Sequence, residues 1–241
     1  GSRSSVLERT MAPHPLSFQE LPYDPEYRLY NNRLTPEILN HMTDDEMYWA
    51  VRTGVILRHT GELPIEIIGP DAEIFLNGLF TRDITSVKPG RCSYQFACYH
   101  DGGMITDGVL LRLAHDRFWM AQADGDLFSW YKAHSNGLDV RIHDPNVWVT
   151  QVQGPHSLDV LRTVVDGDYP EPFKYFDCAT VTIAGQAVVI SVGVETEQAE
   201  SKAVPATSGT VAAACITAGL HKDRHHIQSE ANAARLGGID H

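Results

Sequence analysis

Short apolar runs that end at a Gly-Pro step occur twice in this chain. In each copy, an apolar strand precedes Gly-Pro, and a segment with helical spacing of apolar residues and an early acidic residue follows. The copies comprise residues 63–68, Gly69-Pro70 and 71–80, and then residues 147–153, Gly154-Pro155 and 156–161. The pattern indicates an internal repeat, 85 residues apart. At Gly154-Pro155 it predicts a strand-to-helix corner, where glycine permits close backbone approach and proline starts the helix.

The repeat extends further, because each helix is followed by a predicted β-hairpin whose turn contains glycine. The turns are Asp101-Gly102-Gly103 and Ala184-Gly185-Gln186. The remaining predicted elements are a strand over 118–123, a helix over 124–136 closed by Gly137, a helix N-cap at Thr35 before Pro36, and a helix over 44–52. Together they predict an α+β fold with antiparallel sheets and helices packed on them.

The composition changes sharply near residue 191. Residues 192–241 contain no Phe, Trp, Tyr or Met, and they are rich in Ala, Thr, Ser and Gly. Such small side chains remove little surface from water, so marginal packing is expected there. The sequence therefore predicts an N-terminal arm over 1–29, partly tag-like, a folded region over 30–191, and an atypical tail over 192–241.

The net charge of the chain argues against two classes of binding partner. A formal net charge of −12 argues against nucleic-acid and anionic-membrane surfaces, which require clustered Lys and Arg. No apolar run reaches the roughly 20 residues of a bilayer span, and residues 1–15 lack a signal-peptide pattern. We therefore expect a cytoplasmic protein. The four cysteines have no CxxC spacing and are predicted to be free thiols: Cys92, Cys98, Cys178 and Cys215.

The strongest candidate for chemistry is Asp107, a carboxylate that interrupts an apolar strand between Ile105 and Val109. An unpaired charge there is costly, so Asp107 must meet solvent, find partners or face a ligand. An Asp-Gly pair can also simply make turn hydrogen bonds at a strand end. From the residues alone, both interpretations stay open.

Four segments in order carry a family resemblance: Thr81-Arg82-Asp83-Ile84, Tyr94 thirteen residues before Asp107, Gly102-Gly103-x-x-x-Asp107, and Gln153-Gly154-Pro155 followed by Val160-Leu161. They resemble the aminomethyltransferase superfamily, which comprises the glycine-cleavage T-protein and relatives that use tetrahydrofolate as a one-carbon acceptor. The resemblance spans residues 30–191. It implies two similar strand–helix–hairpin halves of the folate-binding fold, without the family's C-terminal β-domain.

The resemblance also implies roles for three residues. Asp107 corresponds to the carboxylate that contacts the folate and polarises the reacting nitrogen, and Tyr94 corresponds to an aromatic lining of the pocket. Gln122 falls near a strand-end polar position that faces the pocket. Core packing remains an equal alternative for Tyr94.

The segments Gly90-Arg91-Cys92-x-Tyr94 and 118–126 are similar to the dimethylsulfoniopropionate demethylase branch. Related segments occur in aromatic O-demethylases, so the resemblance implies a small methyl or aminomethyl donor without fixing which one. The family's Arg-Thr-Gly-Tyr-Thr-Gly-Glu segment is replaced by residues 192–197. Three explanations stay open: a truncated relative, a folate-binding module without catalysis, and an enzyme completed by a second subunit or by a homo-oligomer.

Other chemistries have weaker support. His221, His225 and His226 have helical spacing near Cys215, but no second close pair of ligands follows, so no metal site is predicted. No G-x-G-x-x-G motif follows a strand, and a bound nicotinamide or flavin is not indicated.

Overall fold

The computed structural model describes residues 11–193. Within this range lie two short 3₁₀ helices, Ser17–Gln19 and Leu21–Tyr23, and sixteen other elements. The strands are β1 (Ala12–Pro13), β2 (Pro25–Tyr30), β3 (Arg33–Leu39), β4 (Ile56–His59), β5 (Leu63–Ile68), β6 (Arg91–Cys98), β7 (Met104–Ala114), β8 (Arg117–Gln122), β9 (Arg141–His143), β10 (Thr150–Gln153), β11 (Cys178–Ile183) and β12 (Gln186–Ser191). The helices are α1 (Asp44–Thr53), α2 (Ala72–Asn77), α3 (Leu127–His134) and α4 (Ser157–Val164). The predicted α+β class is confirmed.

A five-stranded antiparallel sheet in the order β6-β7-β8-β5-β9 forms the centre of the fold. Side chains alternate between its two faces, and both faces are covered. Helices α2 and α3 pack on one face, where they bury a large apolar cluster that includes Ile67, Leu76, Leu110, Phe118 and Tyr131. Burial of such side chains is the main stabilising contribution to the sheet.

The opposite face carries a smaller apolar cluster around Leu111 and Trp119, and an ionic group beside it. Glu66 on β5 accepts hydrogen bonds from Arg117 Nε at 2.6 Å and Trp119 Nε1 at 2.9 Å, and its second oxygen lies 2.7 Å from His143 Nε2. Burial alone would raise the pKa of Glu66, but the hydrogen bonds from Trp119 and Arg117 outweigh it and lower that pKa.

The two Gly-Pro steps have the same structure, as the internal repeat predicts. Gly69 follows β5 with φ +144°, and Gly154 follows β10 with φ +129°. A β-carbon at Gly69 would collide with the carbonyl oxygen of Asp139, and one at Gly154 with the carbonyl oxygen of Gly54. The predicted close approach of backbone at Gly154 is therefore confirmed, and glycine is required there for space and for conformation.

Both predicted hairpins are confirmed. Strands β6 and β7 pair on either side of Asp101–Gly103, and β11 and β12 pair on either side of Ala184 and Gly185. The helix predicted over 44–52 is α1, which begins after a capping box between Thr43 and Glu46. The cysteines at 92, 98 and 178 are free, while Cys215 lies outside the described residues.

The predicted helix N-cap at Thr35 is wrong, because Thr35 and Pro36 lie within strand β3. Strand β3 pairs with β2, and the register shifts at Glu26/Tyr27, where Tyr27 is opposite Pro36. Strand β1 covers the other edge of β3 only at Arg33 and Leu34. Pro36 therefore lies beside the register shift of β2 and outside the part of β3 that pairs with β1. A strand tolerates a residue without an N–H at such a position.

A pair of buried histidines ties the N-terminal segment to the sheet of β4 and β10. The rings of His14 and His59 stack with centroids 3.9 Å apart. Leu16 N–H donates to His14 Nδ1 at 3.1 Å, and the Thr150 hydroxyl lies 3.3 Å from His14 Nε2 and 3.0 Å from His59 Nδ1. Each side chain in the hydrogen-bonded series His14–Thr150–His59 therefore has a partner when both rings are neutral.

No helix within residues 11–193 is long and apolar enough to cross a membrane. The predicted divisions of the chain after residues 29 and 191 stay predictions.

Candidate functional site

Tyr94 and Asp107 meet on one face of the central sheet. In the antiparallel register of β6 and β7, Phe96 lies opposite Asp107, and Tyr94 precedes Phe96 by two residues. All three side chains therefore project from the same face. The Tyr94 hydroxyl donates a hydrogen bond to Asp107 Oδ2. The structure thus brings together two of the three site residues predicted from the sequence.

The Tyr94 phenol remains protonated at neutral pH. Burial, and then the hydrogen bond to the Asp107 carboxylate, raise the pKa of Tyr94 to about 12. The phenol is therefore a fixed donor that holds one carboxylate oxygen. Within residues 11–193, no other hydrogen bond to the Asp107 side chain forms, so Oδ1 is available to a ligand.

The surroundings of this carboxylate are apolar and aromatic. The rings of Tyr94 and Phe96 meet edge to face, with centroids 5.2 Å apart. Val109, opposite Tyr94, and Ala121, opposite Val109, are half-buried against the same apolar cluster. A flat heteroaromatic ring suits such a surface, and Asp107 can accept a hydrogen bond from a ring nitrogen.

Tyr30 is a third member of the site, and the sequence analysis did not identify it. Tyr30 is half-buried at the end of β2. Burial, and then the charge of Glu62, raise its pKa, with smaller contributions from Asp107 and Asp124. The turn after Tyr30 is hydrogen-bonded to Asp124, and the neighbouring Ala123 N–H donates to Asp107 O, so Tyr30 lies beside the strand segment that carries Asp107. No local pattern marks this residue, since it is held near the site by hydrogen bonds of Asn31 to residues that are distant in the sequence.

Asn31 fixes the turn that carries Tyr30. Its Nδ2 donates to the carbonyl oxygens of Gly61 and Gln122, each at 3.2 Å. Its Oδ1 accepts from Gly125 N–H at 3.3 Å, and its own N–H donates to Asp124 Oδ1 at 3.1 Å. The turn is thereby held against the end of β8. An Asn-Asn pair is a known turn signal, and it could have been used to locate this hairpin.

Gln122 lies on the other face of the sheet from Asp107, because it is opposite Gly108 in the register of β7 and β8. Its side chain is buried. Its Oε1 accepts from Leu127 N–H at 3.1 Å, and its Nε2 donates to Gly125 O at 2.9 Å. The structure therefore does not bring Gln122 together with Tyr94 and Asp107, and its contact with a cofactor stays a prediction.

A shallow polar cavity of about 110 Å³ opens beside Tyr30. Its walls come from two of the sheets and from the loop before β5: Arg28, Tyr30, Thr35, Arg58, Thr60, Gly61, Glu62 and Gln151. Tyr30 thus lines this cavity, and the turn that follows it is hydrogen-bonded to the end of β8.

Metal ligands do not cluster in groups of three or more within the described range. The histidines at 221, 225 and 226 lie outside that range.

A family model described as the GCVT N-terminal domain matches residues 14–193. The chain belongs to the aminomethyltransferase (GCVT) family. It is 29% identical over 174 residues to the dimethylsulfoniopropionate demethylase DmdA of Ruegeria pomeroyi, covering 68% of this chain and 45% of that protein. It is 34% identical over 153 residues to the aminomethyltransferase of Bacillus subtilis, covering 59% of this chain and 41% of that protein.

The same fold occurs in the glycine cleavage system aminomethyltransferase T from Bartonella henselae. The TM-score is 0.62 at 19% sequence identity, and the similarity covers 69% of this chain and 46% of that chain. This family member therefore spans about half the length of the curated relatives it matches. The recognition of the family from its sequence motifs is confirmed.

Proposed function

We propose that this chain binds tetrahydrofolate at Asp107, Tyr94 and Tyr30, and that it takes part in methyl or aminomethyl transfer from a small donor. Tetrahydrofolate is the one-carbon acceptor of this family. The observation that carries the proposal is the Asp107 carboxylate, which is held by Tyr94 and keeps one oxygen free above an aromatic surface. These residues fit a pterin, which offers a flat ring and nitrogen-bound protons to a carboxylate.

In this proposal Asp107 orients the cofactor and stabilises charge. When bound, tetrahydrofolate supplies the pterin nitrogen that accepts the one-carbon unit. Asp107 Oδ1 accepts a hydrogen bond from the ring, and its negative charge stabilises positive charge that develops during transfer. Tyr94 keeps the carboxylate in place through its protonated phenol. The apolar side chains of Phe96 and Val109 exclude water, which strengthens this electrostatic effect.

The relatives indicate the class of donor, a small methyl or aminomethyl donor, but not which compound it is. Dimethylsulfoniopropionate, an aminomethyl carrier and an aromatic methyl ether are the three candidates. We propose a cytoplasmic location, which is compatible with the free thiols of Cys92, Cys98 and Cys178. A second candidate function is folate binding without turnover. It is favoured by residues 192–197, which replace the family's Arg-Thr-Gly-Tyr-Thr-Gly-Glu segment.

Calorimetric titration with tetrahydrofolate, under reducing and anaerobic conditions, tests the binding step. We expect micromolar affinity for the wild type and about tenfold weaker affinity for Asp107→Asn, because one charge-assisted hydrogen bond is lost. Asp116→Asn is the matched control, since Asp116 is exposed in the turn after β7. Equal affinity of Asp107→Asn and wild type would refute the assignment, as would a folded protein that binds no tetrahydrofolate.

Turnover is measured separately, by incubating the protein with tetrahydrofolate and each donor and assaying methylated or methylene folate. Formation of product that is lost in Asp107→Asn supports the enzyme. Binding without product from any of the three donors supports the non-catalytic alternative.

A further inference from the structure

The chain contains two Asn-Gly pairs, Asn77-Gly78 and Asn136-Gly137. An asparagine before glycine is prone to lose ammonia, because glycine has no β-carbon to hinder the attack of its own amide nitrogen on the side-chain carbonyl carbon. The attack requires a free backbone N–H and a free side-chain amide. All four residues are exposed, so the difference between the two pairs lies in their hydrogen bonds.

The first pair is held at the end of α2. Gly78 N–H donates to the carbonyl oxygens of Ile74 and Phe75, each at 3.2 Å. Asn77 Oδ1 accepts from Ile84 N–H at 2.8 Å. The attacking nitrogen and the amide that it would attack are therefore both fixed, and reaction requires local opening of the helix end.

The second pair lies in the turn after α3 and has no such bonds. Leu138 N–H donates to Ser135 O at 3.2 Å, and Gly137 has φ +81°. This pattern matches a type II turn, in which the N–H of the third residue takes no part in the turn's hydrogen bond. Within residues 11–193, neither Gly137 N–H nor the Asn136 side chain has a hydrogen-bond partner. Both reacting groups are therefore free to meet.

We propose that Asn136 is a modification site, at which the folded chain deamidates spontaneously and much faster than at Asn77. The Gly137 nitrogen forms a bond to Asn136 Cγ, the bond from Cγ to Nδ2 breaks, and ammonia leaves with the proton that the Gly137 nitrogen gives up. Water then opens the resulting succinimide at either carbonyl carbon. The products are aspartate and isoaspartate at position 136, and water is the only co-reactant.

The modified turn would act on the packing of the first Gly-Pro corner. Isoaspartate adds one atom to the main chain before Leu138, which packs against the large apolar cluster. Asp139 follows, where the N–H donates to Asp71 Oδ2 at 2.8 Å and the carbonyl oxygen lies against Gly69. Either product also places a negative charge beyond the C-terminus of α3, where the helix dipole disfavours it. Deamidation should therefore lower the temperature of thermal unfolding.

The test incubates the folded protein in mildly alkaline buffer and follows two tryptic peptides by mass spectrometry. Cleavage at lysine and arginine isolates Asn136 in residues 133–141 and Asn77 in residues 59–82. Each peptide has one asparagine and no glutamine, so the mass gained when NH₂ is exchanged for OH reports that residue alone. A sample taken at the start corrects for reaction during digestion. Protein unfolded in urea is the control, because both pairs are then free of the fold.

We expect Asn136 to react at least about tenfold faster than Asn77 in the folded protein, and the two rates to become similar in urea. Asn136→Gln should remove the mass change of peptide 133–141 and most of the fall in unfolding temperature on incubation. Equal rates at the two asparagines in the folded protein would overturn the proposal. An Asn136 that stays unmodified for the time in which the unfolded chain reacts would overturn it as well.

Discussion

Mild acid should destabilise this fold through its two buried histidines, His14 and His59. Burial, and then the charges of His59 and Arg33, lower the pKa of His14 to about 3, and burial lowers the pKa of His59 to about 4. Arg33 is held close by, with its guanidinium 4.1 Å from the Trp148 ring. A proton on either ring would place a charge inside the stack. On His14 it would set Nδ1–H against the Leu16 N–H, and on His59 it would leave Thr150 between two donors.

The size of the effect follows from proton linkage. Both imidazoles have a pKa near 6.5 in the unfolded chain, so below that pH the unfolded state binds more protons than the folded state. The stability contributed by the two neutral imidazoles is therefore fully present above pH 6.5. It decreases as the pH falls, until the pKa values of the folded state are reached. Each group contributes about 1.4 kcal/mol per pH unit, so the pair contributes about 2–3 kcal/mol per unit between pH 6 and 4. A typical domain has only about 5–15 kcal/mol in total.

Urea unfolding at pH 7.5, 6.5, 5.5 and 4.5 measures this dependence, and NMR titration of the imidazoles measures the two pKa values directly. The double variant His14→Gln/His59→Gln should lose most of the slope between pH 6.5 and 4.5, whatever its stability at pH 7.5. The control His115→Gln changes an exposed imidazole and should keep the wild-type slope. Imidazole pKa values above 6 for both buried histidines, or equal slopes for wild type and double variant, would refute the reasoning.

Three further substitutions test the packing that supports the site. Gly154→Ala should cost about 3 kcal/mol or more, because it adds a collision with Gly54 to an unfavourable φ; thermal unfolding measures it. Glu66→Gln should cost about 1–3 kcal/mol in urea unfolding, since Arg117 and His143 lose a charged partner. Gln122→Ala should cost about 2–3 kcal/mol and leave tetrahydrofolate affinity nearly unchanged, because it leaves buried backbone groups unpaired.

Matched controls make these outcomes specific. Gly167→Ala has φ +83° but open space around its β-carbon, so it isolates backbone strain and should cost less than Gly154→Ala. Glu37→Gln breaks only the exposed pair with Arg28 and should change stability by less than about 1 kcal/mol. Gln186→Ala is exposed and should be neutral. A large loss of affinity in Gln122→Ala at unchanged stability would contradict its supporting role.

The parts of the fold that the sequence predicts are those set by local rules. The Gly-Pro corners at Gly69 and Gly154 depend on the conformation of a few adjacent residues, and glycine in the turn marks the hairpin of β6 and β7. The N-cap signal at Thr35 is equally local, but strand pairing with β2 overrides it. Local propensity is a weak guide where tertiary contacts decide the structure.

The residues of the candidate site also fall into those that the sequence identifies and those that it does not. Asp107 and Tyr94 belong to one hairpin, and the family resemblance identified both of them. Tyr30 reaches them only because Asn31 hydrogen-bonds to the backbone of Gln122, which is 91 residues away. Such a contact leaves no periodic signal in one sequence. Gln122 was interpreted as a pocket residue because it falls near the end of a strand. The pairing of β7 with β8 places its side chain on the other face of the sheet from Asp107.

The pairing of β4 with β10 also sets the order in which the chain can fold. Strand β4 has no other strand partner among the described residues, and His59 meets Thr150 only across 91 residues of chain. The contact of His14 with Thr150 forms at the same stage and closes a longer loop, of 136 residues. Closing such long loops slows folding. During synthesis, both edges of β4 therefore stay unpaired until β10 leaves the ribosome, and in this interval β4 is open to strand pairing with other molecules.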